Sequence, residues 1–472
     1  MLPRPAPRLR ITELLGLAAL WGLAAALRLR ALPLVMTLGD SLGPWWVAWR
    51  GWWATTPHAP PYGRLLALPH ALILPFARSL WEAEATLLVL HALVAPIGAL
   101  LAAQAAGERR GARRAGLCAG ALLAVDPGLI DTALSGAEGY LGAAWLGLAA
   151  LLAGQRGPGA ALFAAAAFTA AVHNHPLALG AAPLLWRGGG LRALGITSVA
   201  LFSLLPQLLR LAEAAGLGLP AAGPPSAGPG PAAVVGGALG AALAHGGPAT
   251  ALLGIGALVG LSARRSRGTA GAALLSLGGV ALLGAGVGGL RDHHLRLVGL
   301  PLAAGWAGAP RLGLALGLLL LRPAPDPLAK PGAWARPSTL GLTHALGSAL
   351  IDDLHAHPDV GSPLVDGVVL AGAPAAEPGG LVLDLLLRGA PLPPPAQDAP
   401  LVLILSFDRA QPPTPPVGAV VLRSTPTAAL WRLDRAGATA WRDGLPAAAR
   451  VGGAVDGLVL LDPGVDTARG RW

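Results

Sequence analysis

Residues 11–53 read ITELLGLAALWGLAAALRLRALPLVMTLGDSLGPWWVAWRGWW. The stretch begins with an apolar segment of about 20 residues, which is the length that an α-helix needs to cross a bilayer. A lone carboxylate, Asp40, comes soon after it. An aromatic block follows, made of Trp45, Trp46, Trp49, Trp52 and Trp53. This order indicates a membrane helix that leads directly into a loop with an acid and an aromatic helix.

The whole chain has the composition of a membrane protein. Of its 472 residues, 54% are hydrophobic and only 12% are charged, whereas a soluble domain carries about 25% charged residues. The net charge of +10 does not indicate nucleic-acid binding, because no basic stripe alternates with exposed aromatic residues. The single cysteine, Cys118, excludes an intrachain disulfide and a cysteine-based metal site.

Apolar runs of spanning length recur as far as residue 322. The candidate spans are 11–31, 85–106, 115–135, 138–154, 159–175, 176–186 with its flanks, 193–212, 248–263, 269–288, 295–309 and 310–322. We therefore predict a polytopic α-helical membrane domain of about 10–12 spans in residues 1–322, with a first external loop at residues 32–84. The abundant glycine and alanine favour close contact between helices in lipid.

Arginines in the short loops predict the orientation. Clusters at 4–10, 109–114, 187–192 and 264–267 fall on one side, which the charge rule assigns to the cytoplasm. Acids and histidines then gather on the outer face. Arg28 also falls outside in this scheme, in a long loop where the rule weakens. We expect a multi-pass protein of the cell inner (plasma) membrane.

The composition changes at about residue 323. Residues 323–337 are a proline-rich linker. Residues 338–472 are predicted to form a soluble α/β or α+β domain, on the outer (periplasmic) side if the chain has eleven spans. After a helix at 338–355, the predicted strands are 367–372, 381–387, 401–407, 418–424, 428–434 and 457–462.

Asp40 has two interpretations. The sequence GDSLGP (39–44) is typical of a helix start, where an aspartate or serine accepts backbone N–H groups. Its place after the first span also fits a catalytic carboxylate. The tryptophans at 45, 49 and 52 share one helical face. We interpret the block as an interfacial aromatic belt.

Further ionisable residues lie near the outer ends of predicted spans. Acids at membrane depth are functional candidates by default, which applies to Asp126, Asp131 and Glu138. A solvated loop would also accommodate these three. His173 and His175, in the sequence HNHP, would line an outer cavity or, with nearby acids, bind a divalent metal.

A basic cluster begins the predicted span at RDHHLRLVGLPL (291–302). Arg291 and Arg296 are permanent charges, while His293 and His294 can donate hydrogen bonds or become charged. Such a cluster suits a phosphate or pyrophosphate headgroup, and general binding of anionic lipid is the alternative. The segment IDDLHAHPD, after residue 350, is more typical of a solvated helix end than of a metal site.

Four segments, in order, resemble the GT-C superfamily of membrane glycosyltransferases, and within it the protein mannosyltransferase / aminoarabinose transferase-like group. They are the first span with Asp40 and the tryptophan block, APPYGRLLALPHAL (59–72), LLAVDPGLIDTALSGAEGYLGAAWLGLAALLA (122–153) and HHLRLVGLPLAAGWAG (293–308). The likeness covers about residues 10–320 and is one of layout.

The resemblance implies a catalytic scheme. Asp40 would be the general base that activates an acceptor nucleophile, which attacks the sugar carbon of a polyprenyl-phosphate donor, usually with inversion. Asp131 or Glu138 would be an acid on the acceptor or metal side. Cations would stabilise the charge that grows on the leaving phosphate. These cations are Arg291, His294 and Arg296.

Two positions depart from the pattern of this group. Many members have the pair Asp-Glu where this chain has Asp40-Ser41, and the usual Arg-Tyr pair is Arg296-Leu297 here. Both departures fall on residues to which the resemblance assigns chemistry.

We therefore expect an integral membrane glycosyltransferase that moves a sugar from a polyprenyl-phosphate donor to a protein, lipid or glycan acceptor of the cell envelope. Membrane lipid is an expected partner and nucleic acid is not. The sequence identifies no cofactor with certainty and leaves a divalent metal open. The alternatives are a transporter or flippase for a lipid-linked or anionic substrate, and a non-catalytic GT-C-like membrane subunit.

Overall fold

The structure is a computed structural model. In the N-terminal helical part it describes residues 11–37, 39–50, 64–107, 111–134, 141–216, 231–262, 266–286 and 303. In the C-terminal region it describes residues 339–358, 364–370, 376–390, 400–407, 412–445 and 450–451.

Helices dominate the N-terminal part. They are α1 (Ile11–Arg30), α2 (Gly39–Arg50), α3 (Leu68–Ile73), α4 (Leu80–His91), α5 (Val94–Ala106), α6 (Ala112–Val125), α7 (Pro127–Leu134), α8 (Gly142–Ala153), α9 (Pro158–Asn174), α10 (Gly190–Gly216), α11 (Pro231–Ser262) and α12 (Arg267–Gly286). A 3₁₀ helix, Pro176–Gly188, joins α9 to α10.

Three stretches among the described residues are long and apolar enough to cross a membrane. They are Ile11–Arg30, Leu80–Ala106 and Arg267–Gly284. The bent pair α6–α7 makes up to four if it is one span, with a bend of 49°. These helices make the chain an integral membrane protein. The total of about 10–12 spans stays a prediction.

Glycines let several of the membrane helices approach closely. A Cβ added to Gly116 in α6 would lie 2.6 Å from the backbone oxygen of Ala99 in α5. The contact between α12 and the 3₁₀ helix is closer, because a Cβ on Gly279 would lie 2.3 Å from the backbone oxygen of Gly180. Backbone therefore touches backbone at these crossings, as expected where small residues drive helix packing.

The C-terminal region contains helices and one sheet. Its elements are α13 (Leu340–Ala356), β1 (Leu364–Val369), α14 (Pro378–Leu387), β2 (Leu401–Ser406), β3 (Val420–Ser424), β4 (Ala428–Leu433), α15 (Arg435–Asp443) and β5 (Arg450–Val451). The strand order is β3-β4-β2-β1-β5. Strands β1 and β2 are parallel, with Leu364 opposite Leu401, and the other pairs are antiparallel. The predicted fold class, a helical membrane domain followed by a small mixed domain, is confirmed.

One predicted strand is wrong. Residues 381–387 lie in helix α14. Pro378 occupies the first turn of this helix, where proline is tolerated because its missing N–H has no intrahelical partner. Leucine is also a strong helix former. Asp384 and Arg388 form an i,i+4 ion pair that only helical spacing brings together. The predicted strand at 457–462 lies outside the described residues.

One buried apolar cluster contains residues of both the N-terminal part and the C-terminal region. Leu42 and Trp45 of α2 belong to the same buried cluster as Leu346 of α13, Leu381 of α14 and Ile404 of β2. We define residues 32–84 as the first-loop segment. The buried residues of α2 in this segment are therefore packed directly on the C-terminal region.

Candidate functional site

Asp40 lies in the first turn of α2, and its side chain lies outside the description. The backbone before it is held from two directions. The N–H of Met36 donates to the oxygen of Leu134, at the end of α7, at 2.8 Å. The N–H of Leu340, at the start of α13, donates to the oxygen of Val35 at 2.7 Å. The loop that leads to Asp40 is thus fixed between a membrane helix and the C-terminal region.

Ser41, the residue after Asp40, is buried. Its Oγ donates to the backbone oxygen of Met36 at 2.9 Å. This hydrogen bond closes the start of α2 onto the loop before it. Ser41 therefore helps to fix the backbone beside Asp40.

A buried glutamate anchors α2 to α4. Nε1 of Trp45 donates to Oε1 of Glu84 at 2.7 Å, and both side chains are almost fully buried. The ring of Trp45 also meets the ring of His70 edge-on, with centroids 4.4 Å apart. The aromatic-belt interpretation is wrong for Trp45 and Trp46, because both pack inside the protein. Trp52 and Trp53 lie outside the described residues.

His70 is a neutral residue at this contact. Nδ1 of His70 lies 3.1 Å from the oxygen of Leu66, and because a carbonyl only accepts, Nδ1 carries the proton. Burial lowers the pKa of His70 to about 3. The imidazole therefore stays uncharged at neutral pH, which suits its contact with the Trp45 ring.

We expect acid to destabilise the structure around His70. Between its ordinary pKa of 6.5 and its native pKa of about 3, the unfolded chain takes up a proton and the native chain does not. The stability linked to this group is full above pH 6.5 and falls as the pH drops, by at most about 1.4 kcal/mol per pH unit. The melting temperature of His70→Gln, measured against pH, should fall less steeply than that of the parent. Equal slopes would contradict this account.

Arg28 is buried, so its predicted place in the outer loop is wrong. It lies in the last turn of α1 and is fully excluded from solvent. Its Nε donates to Nδ1 of His91 at 2.9 Å, and its Nη1 donates to the oxygens of Ala24 and Ala124 at 3.0 and 3.4 Å. Arg28 therefore ties together α1, α4 and α6 just before the loop that leads to Asp40.

The predicted acids near the α6–α7 junction have separate positions. Oδ1 of Asp126 accepts the N–H of Gly128 at 2.8 Å and that of Leu129 at 3.4 Å. Asp126 is buried, so its carboxylate caps α7, which favours a structural role. Asp131 is half-buried one turn further along α7. Glu138 lies outside the described residues.

Both predicted histidines are buried in the helical bundle. Nε2 of His173 lies 2.9 Å from Oγ of Ser203. Because that hydroxyl donates to the oxygen of Ala200, it accepts from His173, which places the proton on Nε2. Nδ1 of His175 accepts the N–H of Leu177 at 3.2 Å and starts the 3₁₀ helix. Each imidazole thus has a hydrogen-bonding role within the helical bundle.

The described residues contain no group of three or more His, Cys, Asp or Glu placed to hold a metal ion. In the segment after residue 350, Asp353 pairs with His357 at 3.2 Å and with Arg432 of β4 at 3.4 Å. The predicted phosphate-binding residues lie outside the described residues. They are Arg291, His293, His294 and Arg296.

Asp384, which the sequence did not single out, is completely buried on α14. Its Oδ1 accepts the N–H of Leu80, the first residue of α4, at 2.9 Å. Its Oδ2 lies 2.8 Å from Nη2 of Arg388 and 3.6 Å from Nδ1 of His344. Burial raises the pKa of Asp384, and the Arg388 charge opposes that shift. Burial also lowers the pKa of His344, on which the indole of Trp81 packs.

Comparison with known proteins identifies the architecture. No protein-family model matches the chain, and no curated protein matches it. A crystal structure of ArnT from Cupriavidus metallidurans, bound to undecaprenyl phosphate, is similar over 90% of this chain and 98% of its own, with a TM-score of 0.50 and 15% identity. The chain has the ArnT fold. The apo structure of that protein gives a TM-score of 0.40 over 89% of this chain and 98% of its own, also at 15% identity.

The ArnT fold confirms, as a fold, the likeness expected from the layout of the sequence. Acids within apolar runs are a sequence signal of buried partners. Glu84 in AEATLLVLH and Asp384 in LVLDLLL each interrupt an apolar stretch, and a carboxylate in such a stretch needs a specific partner. That signal was visible in the sequence, but their partners Trp45 and Leu80 were not.

Proposed function

We propose that this chain is an integral membrane glycosyltransferase that moves a sugar from a polyprenyl-phosphate donor to an acceptor of the cell envelope. The observation that carries the proposal is the ArnT fold over 90% of the chain. The similar ArnT structure was solved with undecaprenyl phosphate bound, which supports a lipid-phosphate donor here. The acceptor is a protein, lipid or glycan with a nucleophilic oxygen or nitrogen.

Asp40 is the general base in this proposal. It removes a proton from the acceptor, whose nucleophilic atom attacks the anomeric carbon of the sugar with inversion, and the bond to the lipid phosphate breaks. The surrounding structure supports this role, because two backbone hydrogen bonds, from Met36 and Leu340, fix the loop before α2. A base positioned on a fixed backbone loses little entropy when the acceptor binds.

The departing phosphate gains negative charge in this step. Arg291 and Arg296 supply permanent positive charge, and His293 and His294 supply donors that stabilise it. Asp131 or Glu138 is the acid that we place on the acceptor or metal side.

The surroundings of the remaining predicted site residues decide the role that we propose for each. Glu138 stays with Asp131 on the acceptor or metal side. Each ring of His173 and His175 is hydrogen-bonded within the bundle, so we assign these residues to the wall of the site and not to a metal. Asp126 is already engaged in capping α7.

The test is direct sugar transfer. The purified protein is placed in vesicles with undecaprenyl-phosphate sugars and extracted envelope lipids or glycans, and the products are identified by mass spectrometry. We expect transfer that requires both the protein and the lipid-linked donor. Movement of the donor across the bilayer without any transfer would overturn the proposal and favour a flippase. Absence of both activities, with stable co-purification of another envelope protein, would favour a non-catalytic subunit.

A further inference from the structure

The C-terminal region is bonded to the residues just before Asp40. Oγ1 of Thr37 lies 2.9 Å from Oγ1 of Thr343 on α13, and both side chains are fully buried. Met36 forms an isolated antiparallel bridge with Thr339. A buried hydroxyl pair and a backbone bridge thus link the start of α2 to α13.

Helix α14 also lies against α2, at a glycine. A Cβ added to Gly380 would lie 3.3 Å from Cδ1 of Leu42 and 3.5 Å from Cβ of Thr37. The 3.3 Å distance is tight and the 3.5 Å distance is an ordinary van der Waals contact, so a larger side chain at Gly380 would press mainly on Leu42, two residues after Asp40. The position of α2 therefore depends on where α14 lies.

Asp384 makes a second link, to α4. Its carboxylate accepts the N–H of Leu80 at the positive end of the α4 dipole. One turn further along α4, Glu84 accepts from Trp45 of α2. A continuous path of hydrogen bonds and one helix turn thus runs from Asp384 to the helix that carries Asp40.

The charge of Asp384 explains why this link is specific. A buried carboxylate contributes little net stability even when it is paired, and its best-attested use is to select one arrangement of its neighbours. Here Asp384 is held by Arg388 and His344 of the C-terminal region and by Leu80 of the first-loop segment. If the C-terminal region moved away from the first-loop segment, the carboxylate of Asp384 would lose the N–H of Leu80 as its donor.

We propose that the C-terminal region sets the position of Asp40, with Asp384 as a positioning residue that acts through α4, Glu84 and Trp45. This role rests on the proposed function, because it concerns the geometry of the base. Displacement of a catalytic group by about 1 Å can slow a reaction about 100-fold. The path contains none of the predicted phosphate-binding residues.

The first experiment compares Asp384→Asn with Asp353→Asn in the transfer assay. Asp353 is a matched control because it is an acid of the same region that pairs with Arg432. Asparagine can still accept the N–H of Leu80 but loses the charge that pairs with Arg388, which weakens the hold on α4. We expect Asp384→Asn to lower kcat roughly 10- to 100-fold with an unchanged KM for the donor. Asp353→Asn should keep the parental kcat.

The second experiment fixes the residues before α2 to α13 by a covalent bond, independently of the path through α4. Thr37→Cys and Thr343→Cys are combined with Asp384→Asn and Cys118→Ala, so that the new pair holds the only thiols. The two hydroxyls already lie 2.9 Å apart, and a disulfide needs Cβ atoms about 3.5–4.5 Å apart. We expect the oxidised form to regain most of the lost kcat and the reduced form to stay slow.

Three results would overturn this role. The first is an Asp384→Asn variant with the parental kcat. The second is an Asp353→Asn variant whose kcat falls as much as that of Asp384→Asn. The third is an oxidised variant in which the disulfide has formed but kcat has not risen. In each case an active parent leaves the proposed function intact. A parent that transfers no sugar overturns the proposed function and this role together.

Discussion

Replacing Asp40 by Asn is expected to slow sugar transfer by about 10²–10⁴-fold, the usual contribution of a general base. Asparagine has nearly the same shape as aspartate but cannot accept the proton of the acceptor. The variant should therefore bind the lipid donor with the parental KM and lose kcat. Steady-state transfer rates at saturating donor measure this loss.

Glu82→Gln is the matched control for Asp40→Asn. Glu82 is an exposed acid of the same first-loop segment, and its carboxylate accepts the backbone N–H of Arg78 at 2.8 Å. It should transfer sugar at the parental rate. An Asp40→Asn variant as fast as the parent would show that Asp40 is not the base.

Adding one methyl group at Gly279 is expected to destabilise the membrane bundle. A Cβ at this position would lie 2.3 Å from the backbone oxygen of Gly180, which is too close for any real contact. The Cβ is fixed by the backbone of Gly279, and the atom it meets is a backbone oxygen. No side chain can therefore rotate to relieve the contact. Overpacking of this kind costs about 1–3 kcal/mol. The melting temperature of Gly279→Ala is measured in detergent, and melting is detected as the loss of monodisperse protein on heating.

The neighbouring residue is the control for Gly279→Ala. A Cβ on Gly278, in the same helix, would meet nothing within 4 Å. Alanine favours helix over glycine by about 1 kcal/mol, so Gly278→Ala should melt at the parental temperature or slightly above it. If the two variants melt alike, the close approach of α12 to the 3₁₀ helix is wrong.

Much of the architecture could be predicted because hydrophobic length and helical period are local properties. The apolar run at 11–31 corresponds to α1, and the predicted helix at 338–355 corresponds to α13. Short apolar runs are different, because periodicity cannot separate a buried strand from a buried helix. LVLDLLL (381–387) is such a run, and its helical state is set by Pro378 at its start and by the partners of Asp384.

The candidate site shows the limit of local sequence patterns more clearly. Asp40 stands out because an isolated acid follows an apolar span. The contacts that hold the helix of Asp40 do not stand out in the sequence. Trp45 and its partner Glu84 are 39 residues apart, and Leu80 and its partner Asp384 are 304 residues apart. A tryptophan block next to a span has the same local pattern in a lipid belt as in a protein core. Only the tertiary partner distinguishes the two.

The contact between Thr37 and Thr343 has a consequence for biosynthesis. The two residues are 306 positions apart, and a ribosome that adds about 5–20 residues per second needs roughly 15–60 s to make the intervening chain. For most of that interval the nascent chain has made α2 but not α13 or α14, so the apolar side of α2 that they cover lacks these partners. Quality-control proteases should therefore cleave chains that stop before residue 339 near α2, while full-length chains resist them.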